Sequence, residues 1–393
     1  MIPFFLLAAT VHTNFEGGNL GPVERVSDAH LRCAVKGEAD QDGRNRQANW
    51  YYFRIDGAAG AQITIDLVAL PGEYNYRPNA GAVTKDTHPV YSYDQKTWKH
   101  FETVEFDNQE PRLRLRFRPE RDPVWIAHVP PYTNRDLDRL LEGLGRRPHL
   151  RRQVIGKTVA GRDLLLLTIT NPAVPEARKK VAWLMFRQHS WESGSSWAGE
   201  GAIRFLLSED ARARRIRDEV VFQIFPLADP DGVARGGVRF NNYGYDLNRN
   251  WDAVDPRRMP EIAAQRQAVL DWVDAGHRVD LFLTVHNTET AEYLEGSPGP
   301  ITGKLHEALV ASTTFHPTRP WRVMEASTTP GKPGRMNVAQ GLYQERKIPA
   351  LGMEQMICFN PKLGGFPTIA HRLEFGAGLA RAVWQALTGA GGE

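Results

Sequence analysis

His189 and Glu192 stand three residues apart in the segment Phe186-Arg187-Gln188-His189-Ser190-Trp191-Glu192, directly after the apolar run 181–186. In a tight turn or a first helical turn, side chains at that spacing can converge on one cation. Zinc accepts imidazole nitrogen and carboxylate oxygen at about 2.0–2.2 Å. A His-x-x-Glu pair alone is weak evidence, because chance places it in many chains as a solvated pair at a helix start. The breaker Gly194-Ser195-Ser196 beside it favours a functional loop. His286 ends a second apolar run, 279–286 (VDLFLTVH), and polar Asn287, Thr288 and Glu289 follow. Ligands gather at strand carboxyl ends in α/β sheets. By itself His286 reads as a core or loop histidine. With His189 and Glu192 it completes a two-His, one-Glu set that leaves room for water, as hydrolytic zinc sites do. Cys33 and Cys358 are the only cysteines, too few for a disulfide framework or a thiolate cluster, so a metal here must rest on His and carboxylate.

Between the two histidines lie the turn sequence Asp229-Pro230-Asp231-Gly232, then Arg239, then Tyr245-Asp246-Leu247-Asn248-Arg249-Asn250-Trp251. Guanidinium groups bind carboxylates bidentately, which suits recognition of a free chain terminus. Asn248 adds amide hydrogen bonds. Isolated, Arg249 would read as a surface salt bridge. Glu354 sits in the apolar run Ala350-Leu351-Gly352-Met353-Glu354, where an unpartnered carboxylate is costly and needs a partner or a raised pKa. A lone buried Glu is otherwise structural.

These side chains need elements to hold them. A chain of 393 residues usually divides into two domains, each with its own core. The first third reads as β structure: runs 50–55 (WYYFRI) and 62–68 (QITIDLV) are aromatic and β-branched, and 112–117 (RLRLRF) alternates strictly. Gly57, Gly60, Pro71, Gly72, Pro78 and Asn79 punctuate these runs, so a β-sandwich is expected. The arginine face of RLRLRF reads as solvated rather than as a polyanion site, because no aromatics interleave it for stacking. Pro130-Pro131-Tyr132 breaks the pattern and a helix opens at Thr133 or Asn134, which places a boundary between 11–132 and 133–393. Beyond it the apolar runs 164–169, 181–186, 220–225 and 279–285 alternate with helical stretches 196–207 and 260–275. That order predicts an α/β domain, a sheet flanked by helices on both faces. Hydrophobic residues at 41% and charged residues at 24% are ordinary globular usage, which excludes extensive disorder and a multi-span membrane protein. Lys plus Arg number 49 against 46 Asp plus Glu, and the resulting +3 gives no reason to expect nucleic acid or an anionic membrane as partner.

In this order, HSWE, DPDG, an arginine before DLNRNW, then VH and a late Glu, the motifs resemble those of the carboxypeptidase A-like zinc metallopeptidases. The similarity is to the cytosolic carboxypeptidase branch and its bacterial members, which carry an amino-terminal β-sandwich. FEGGNLG (15–21), YSYD (91–94), PPYT (130–133) and the helical GSSWAGEGAIRFLL after HSWE look like landmarks of that branch, and the resemblance runs from about Val11. It implies that His189, Glu192 and His286 bind one Zn2+ per chain. It further implies that Arg239 polarises the scissile carbonyl, that Asn248 and Arg249 clamp the terminal carboxylate of the substrate, and that Glu354 is the general base. The implied activity is hydrolysis of the C-terminal peptide bond of peptides or proteins. Two departures stand out. Asp229 occupies a place where the family usually has Asn, a change expected to touch only a turn. The tyrosine that closes over substrate in digestive carboxypeptidases has no match within 331–338.

Rival readings share parts of this pattern. A zinc-dependent N-acyl amino acid deacylase of the aspartoacylase kind has the HxxE…H and DLNR elements but resembles this chain poorly in the sandwich region. A peptidoglycan-peptide carboxypeptidase is the same chemistry on another substrate. A catalytically dead binding module would require loss of a zinc ligand or of the base, and all four residues are present. Lys332 and Arg335, in a Gly/Pro-rich stretch, could select an acidic terminal residue or could simply be solvated. The apolar segment 2–9 (IPFFLLAA) resembles the core of an export signal without its basic start and is too short to span a bilayer. With residues 1–10 as a truncated signal the protein would be periplasmic or secreted, otherwise cytoplasmic. No integral membrane span is expected, and the sequence leaves the oligomeric state open.

Overall fold

The computed structural model describes residues 9–74, 77–79, 81–324 and 334–390. Residues 1–8 of the signal-like segment, and Lys332, lie outside these. The end of that segment differs from expectation: Ala9 is buried in the first core and Thr10–His12 is a strand paired with Tyr52–Asp56, so the fold begins before Val11.

Two five-stranded sheets make up the amino-terminal region. One runs Thr10–His12, Tyr52–Asp56, Val124–Ala127, Val90–Ser92, Lys99–His100; the other runs Glu105–Asp107, Arg112–Phe117, Ile63–Val68, His30–Ala34, Val23–Ser27. Alternation decides which side chains meet between them. Phe53 and Ile55 of one sheet share a core with Ile63, Ile65, Leu67, Leu113 and Leu115 of the other. The outward arginines are tied up in ion pairs. Arg114 grips the buried Asp66 through Nε and Nη2 at 2.6 and 2.8 Å, Arg112 pairs with Asp107 and Arg116 with Glu105. That face is charge-neutralised, which leaves it nothing to offer a polyanion.

The rest is a mixed α/β unit around an eight-stranded sheet in the order Leu150–Lys157, Asp163–Ile169, Val220–Phe225, Lys180–Phe186, Leu281–Thr288, Ala350–Met356, Tyr293–Gly296, Arg322–Val323. Its four middle strands are parallel and lie between helices, so they are apolar on both faces. In Lys180–Phe186, Ala182, Leu184 and Phe186 enter the core under Ser193–Leu206 and Ile369–Thr388. Val181, Trp183 and Met185 enter the core under Pro260–Asp274 and Val338–Arg346. Small residues let the first two helices touch. A Cβ on Gly376 would lie 1.9 Å from the carbonyl oxygen of Ala198, so only glycine allows that approach. Among the described residues no helix is long and apolar enough to cross a membrane.

Strand Val220–Phe225 leads into the short helix Pro230–Arg235, capped by Asp229, whose Oδ1 accepts from the Gly232 amide at 2.8 Å. Asp229 is fully buried and its Oδ2 has no partner. Burial pushes its carboxyl from 3.8 up to about 7, against the pull of Arg235. The departure from Asn therefore reaches beyond a turn. An acid whose folded pKa is raised favours folding below its unfolded pKa and loses that contribution as pH rises towards the folded value. Asp229→Asn keeps the cap and removes the titration. Its gain in thermal midpoint over the parent should grow between pH 4 and pH 7 and level off above. A difference independent of pH in thermal melts would contradict this.

Candidate active site

The site begins with a turn held under tension. Directly after strand Lys180–Phe186, Arg187 adopts φ +62, a left-handed conformation worth about 1–3 kcal/mol of strain for a residue with a Cβ. Its buried guanidinium fastens the turn: Nε donates to the Ser190 carbonyl at 2.8 Å, Nη1 to Ser196 Oγ at 3.1 Å and Nη2 to the Tyr132 carbonyl at 3.3 Å. Burial lowers its pKa to about 9, which still leaves it charged at neutral pH. Trp191 is buried in a core shared by the two regions, with Trp50, Tyr52 and Val129 on one side and Val238 and Ile357 on the other. With Trp191 pointing there, His189 and Glu192 turn inward, and helix Ser193–Leu206 starts immediately, three residues earlier than the periodicity predicts.

His286 arrives from the neighbouring strand. Leu281–Thr288 continues two residues past the histidine, so His286 lies inside the strand rather than at its end. The parallel register pairs His286 with Glu354, which sets the two side by side on adjacent strands. His189 Nδ1 lies 2.7 Å from Glu192 Oε1, and His286 Nδ1 lies 2.8 Å from Glu192 Oε2. The donor atoms of the three residues fall within 4.8 Å of one another and all three residues are buried. The opposite ring nitrogens have their own partners: His189 Nε2 meets Asp246 Oδ1 at 3.1 Å, and His286 Nε2 meets Thr284 Oγ1 at 3.0 Å and Gln188 Oε1 at 3.2 Å. Protons on both Nε2 atoms leave two Nδ1 lone pairs facing carboxylate oxygens. That arrangement is repulsive by itself, and a divalent cation between the three groups resolves it. The donor set and its backing thus fit zinc.

Charges around this cluster alternate. Arg239 Nε donates to Asp246 Oδ2 at 2.6 Å, so Asp246 bridges Arg239 and His189. Burial works against the Asp246 carboxylate, but Arg239 and His189 hold it well below the usual range. Burial likewise opposes the Glu192 carboxylate, and the two histidines bring it down to about 2. Glu354 is in the opposite situation. Burial and the nearby charges of Glu192 and Glu295 push it well above its ordinary value, and its Oε2 has no partner. A cation at the cluster counters the Glu192 contribution. Asn248 stands beside the second histidine, with Nδ2 3.3 Å from His286 Nε2 and Oδ1 accepting from the Val338 amide. Arg249 donates from Nη1 to the Asn248 carbonyl at 2.7 Å, and its Nε is buried without a partner. Glu192, Arg239 and Glu354 all line one cavity of about 240 Å³.

The structure therefore brings the seven residues singled out in the sequence together: Glu192, Arg239 and Glu354 line the cavity, and His189, His286, Asn248 and Arg249 join them through direct contacts behind it. Arg335 is half-buried. Three partners carried no sequence signal of their own, namely Gln188, Thr284 and Asp246, although Asp246 sits inside the DLNRN motif. The amino-terminal region also contributes. Gln47, Ala48, Asn49 and Tyr74 line the same cavity, and Asn49 donates to Glu289 at 2.9 Å.

Comparison with known proteins shows the family and the fold. Residues 137–295 match the zinc carboxypeptidase family, and residues 11–129 match the cytosolic carboxypeptidase N-terminal domain. Carrying both in this order, the chain belongs to the zinc carboxypeptidases, metalloproteases that hydrolyse peptide bonds. Its place within them is with the cytosolic carboxypeptidases and bacterial metallocarboxypeptidases. It is similar to an uncharacterised protein of Zymomonas mobilis, at 28% identity over 285 residues that cover 72% of this chain and 69% of that one. Mouse cytosolic carboxypeptidase 6 is 28% identical over 291 residues, 70% of this chain and 52% of the mouse protein, so the chain spans about half the length of that relative. A metallo-carboxypeptidase from Burkholderia cenocepacia shares the fold, with a TM-score of 0.82, 24% identity, and coverage of 97% of this chain and 99% of that one.

One contact ties the amino-terminal region to Arg239. Glu38 Oε2 accepts from the backbone amides of Val238, Arg239 and Phe240 at 2.9, 2.5 and 2.9 Å, and Oε1 pairs with Arg235. A hydrogen bond to a charged acceptor contributes about 1.5–3 kcal/mol. Glu38→Ala should lower unfolding free energy by at least that amount in urea titrations, with kcat falling more than zinc content. Unchanged stability would show that solvent replaces the carboxylate.

Proposed function

We propose that the protein is a zinc-dependent carboxypeptidase that removes the C-terminal residue from peptides or proteins, with the sandwich over residues 9–132 and the catalytic unit over 133–393. The observation that supports this most is the shared cavity, where a two-His, one-Glu cluster faces a buried carboxylate with an unpartnered oxygen. His189, Glu192 and His286 would hold one zinc ion, which supplies a Lewis acid for the scissile carbonyl and a water acidified to a pKa of about 7. Glu354 takes the proton of the attacking water on its carboxylate and delivers it to the leaving amine. Arg239, fixed through Nε by Asp246, donates to the carbonyl oxygen as negative charge develops there. One such donor is worth about 2.7–4 kcal/mol. Arg249, with Asn248 beside it, binds the terminal carboxylate and sets the scissile bond in register, which restricts cleavage to a free terminus. The match of residues 11–129 to the carboxypeptidase N-terminal domain favours this reading over an N-acyl amino acid deacylase. Assaying peptides, muropeptides and N-acyl amino acids side by side, with metal content measured, tests it. Turnover of N-acyl amino acids alone would overturn it.

Two variants test the roles. Glu354→Gln should retain zinc and lose turnover by about 10²–10⁴-fold, the range of a general base; near-normal turnover would remove Glu354 from that role. Arg249→Ala should raise KM for peptides with a free terminal carboxylate by tenfold or more at nearly unchanged kcat, about the energy of one charged hydrogen bond. An equal effect on amidated peptides would count against the clamp.

A further inference from the structure

The phenol of Tyr74 reaches both arginines of the site from the other half of the molecule. Its hydroxyl oxygen lies 3.5 Å from Arg249 Nη2, and Arg239 Cζ stands 5.5 Å from the centre of its ring. Tyr74 ends the strand Gly72–Tyr74, which pairs with Arg77–Asn79 in a two-stranded ribbon outside both sandwich sheets. That ribbon is bolted to the segment before it. Glu73 donates its amide to the Arg46 carbonyl at 2.6 Å, and its carboxylate meets Arg44 Nη2 at 3.0 Å. A Cβ on Gly72 would lie 2.1 Å from the Arg46 carbonyl oxygen, so the contact requires glycine there. Tyr74 is consequently presented on a braced ribbon, and it lines the cavity with Glu192, Arg239 and Glu354.

A phenol has one hydrogen to donate. Facing a guanidinium, the oxygen of Tyr74 accepts, and the hydrogen is directed elsewhere. Among the described residues no acceptor takes it. Ring and hydroxyl therefore act separately: the ring stacks against Arg239, and the O–H is free for an anionic oxygen brought in between the arginines. We propose that Tyr74 is a substrate-contacting residue, its hydroxyl donating to the carboxylate of the peptide terminus that Arg249 binds. This rests on the carboxypeptidase reading and extends it to the amino-terminal region, which becomes part of the substrate site. It also supplies a closing phenol for a chain that has no matching tyrosine within 331–338.

The test compares Tyr74→Phe and Tyr74→Ala in the full zinc-loaded chain. Steady-state kinetics are run on a peptide with a free terminus, and binding of free and amidated forms is measured in the Glu354→Gln background. Tyr74→Phe keeps the ring and should raise KM and Kd for the free-terminus peptide about tenfold, the loss of one hydrogen bond to a charged group, with kcat and amide binding nearly unchanged. Tyr74→Ala should lose kcat as well, because Arg239 loses its stack. If Tyr74→Phe matches the parent in KM and Kd while the parent prefers the free terminus, the hydroxyl contact is overturned and the carboxypeptidase reading stands. If the parent itself neither cleaves nor prefers a free terminus, both fall together.

Discussion

The site depends on keeping Glu192 ionised where almost no water reaches it. A carboxylate transferred into such a setting loses several kcal/mol of hydration, even after the protein relaxes. Each of its oxygens faces an imidazole nitrogen, each ring is backed on the far side by an acceptor, and a cation held by the three groups would supply the compensating charge. One of those acceptors, Asp246, has the same difficulty and resolves it with Arg239. Glu192, His189, Asp246 and Arg239 thus form a line of groups each of which makes its neighbour tolerable. Removing any one leaves a buried charge without its counterpart, so substitutions along this line should not add independently.

Precision comes from the sheet. His286 and Glu354 are register partners on parallel strands, and the HSWE turn leaves the strand on the other side of His286. Two of the chemical groups, His286 and Glu354, are therefore fixed by backbone hydrogen bonds near the carboxyl ends of adjacent strands, where side chains from different strands converge. The irregular parts are held by single buried anchors. Arg187 stitches the turn to the Ser193–Leu206 helix, and Trp191 is driven into the core shared with the amino-terminal sheets.

Much of this was legible in the sequence, because the site is written in local motifs and the sheet in apolar runs. His189 and Glu192 are three apart, and both 220–225 and 112–117 form strands over the predicted residues. Strand ends were less legible. Leu281–Thr288 starts late, where Asp280 takes over capping the Val181 amide, and it runs past His286 because Asn287 and Thr288 pair with Gln355 and Met356. What the sequence could not show were contributions that cross from one region to the other. Glu38 lies about two hundred residues before the amides it receives, and Tyr74 lies 175 residues from Arg249. Lys36, Arg44 and Arg46 near Glu38 suggest only local pairing, and a Tyr in a turn-rich segment carries no pattern. Asp229 was visible as a departure, but its burial was not, and burial is what gives it a consequence.

The two arginines differ in what surrounds them, and that difference assigns them different work. Arg239 is paired with Asp246, so much of its field is cancelled before a substrate arrives, and its orientation is fixed. Such a group attracts little at a distance and is well placed to respond to charge that appears during reaction. Arg249 has no carboxylate within ion-pair distance among the described residues, and its direct partners are the neutral Asn248 carbonyl and the Tyr74 hydroxyl. Its charge is left for an incoming anion. On the proposed reading, a chain with almost balanced total charge would need no broad positive surface to find a carboxylate terminus. In the proposed reaction, a guanidinium without an ion-pair partner beside another already paired would separate capture of the terminus from stabilisation of the reacting carbonyl.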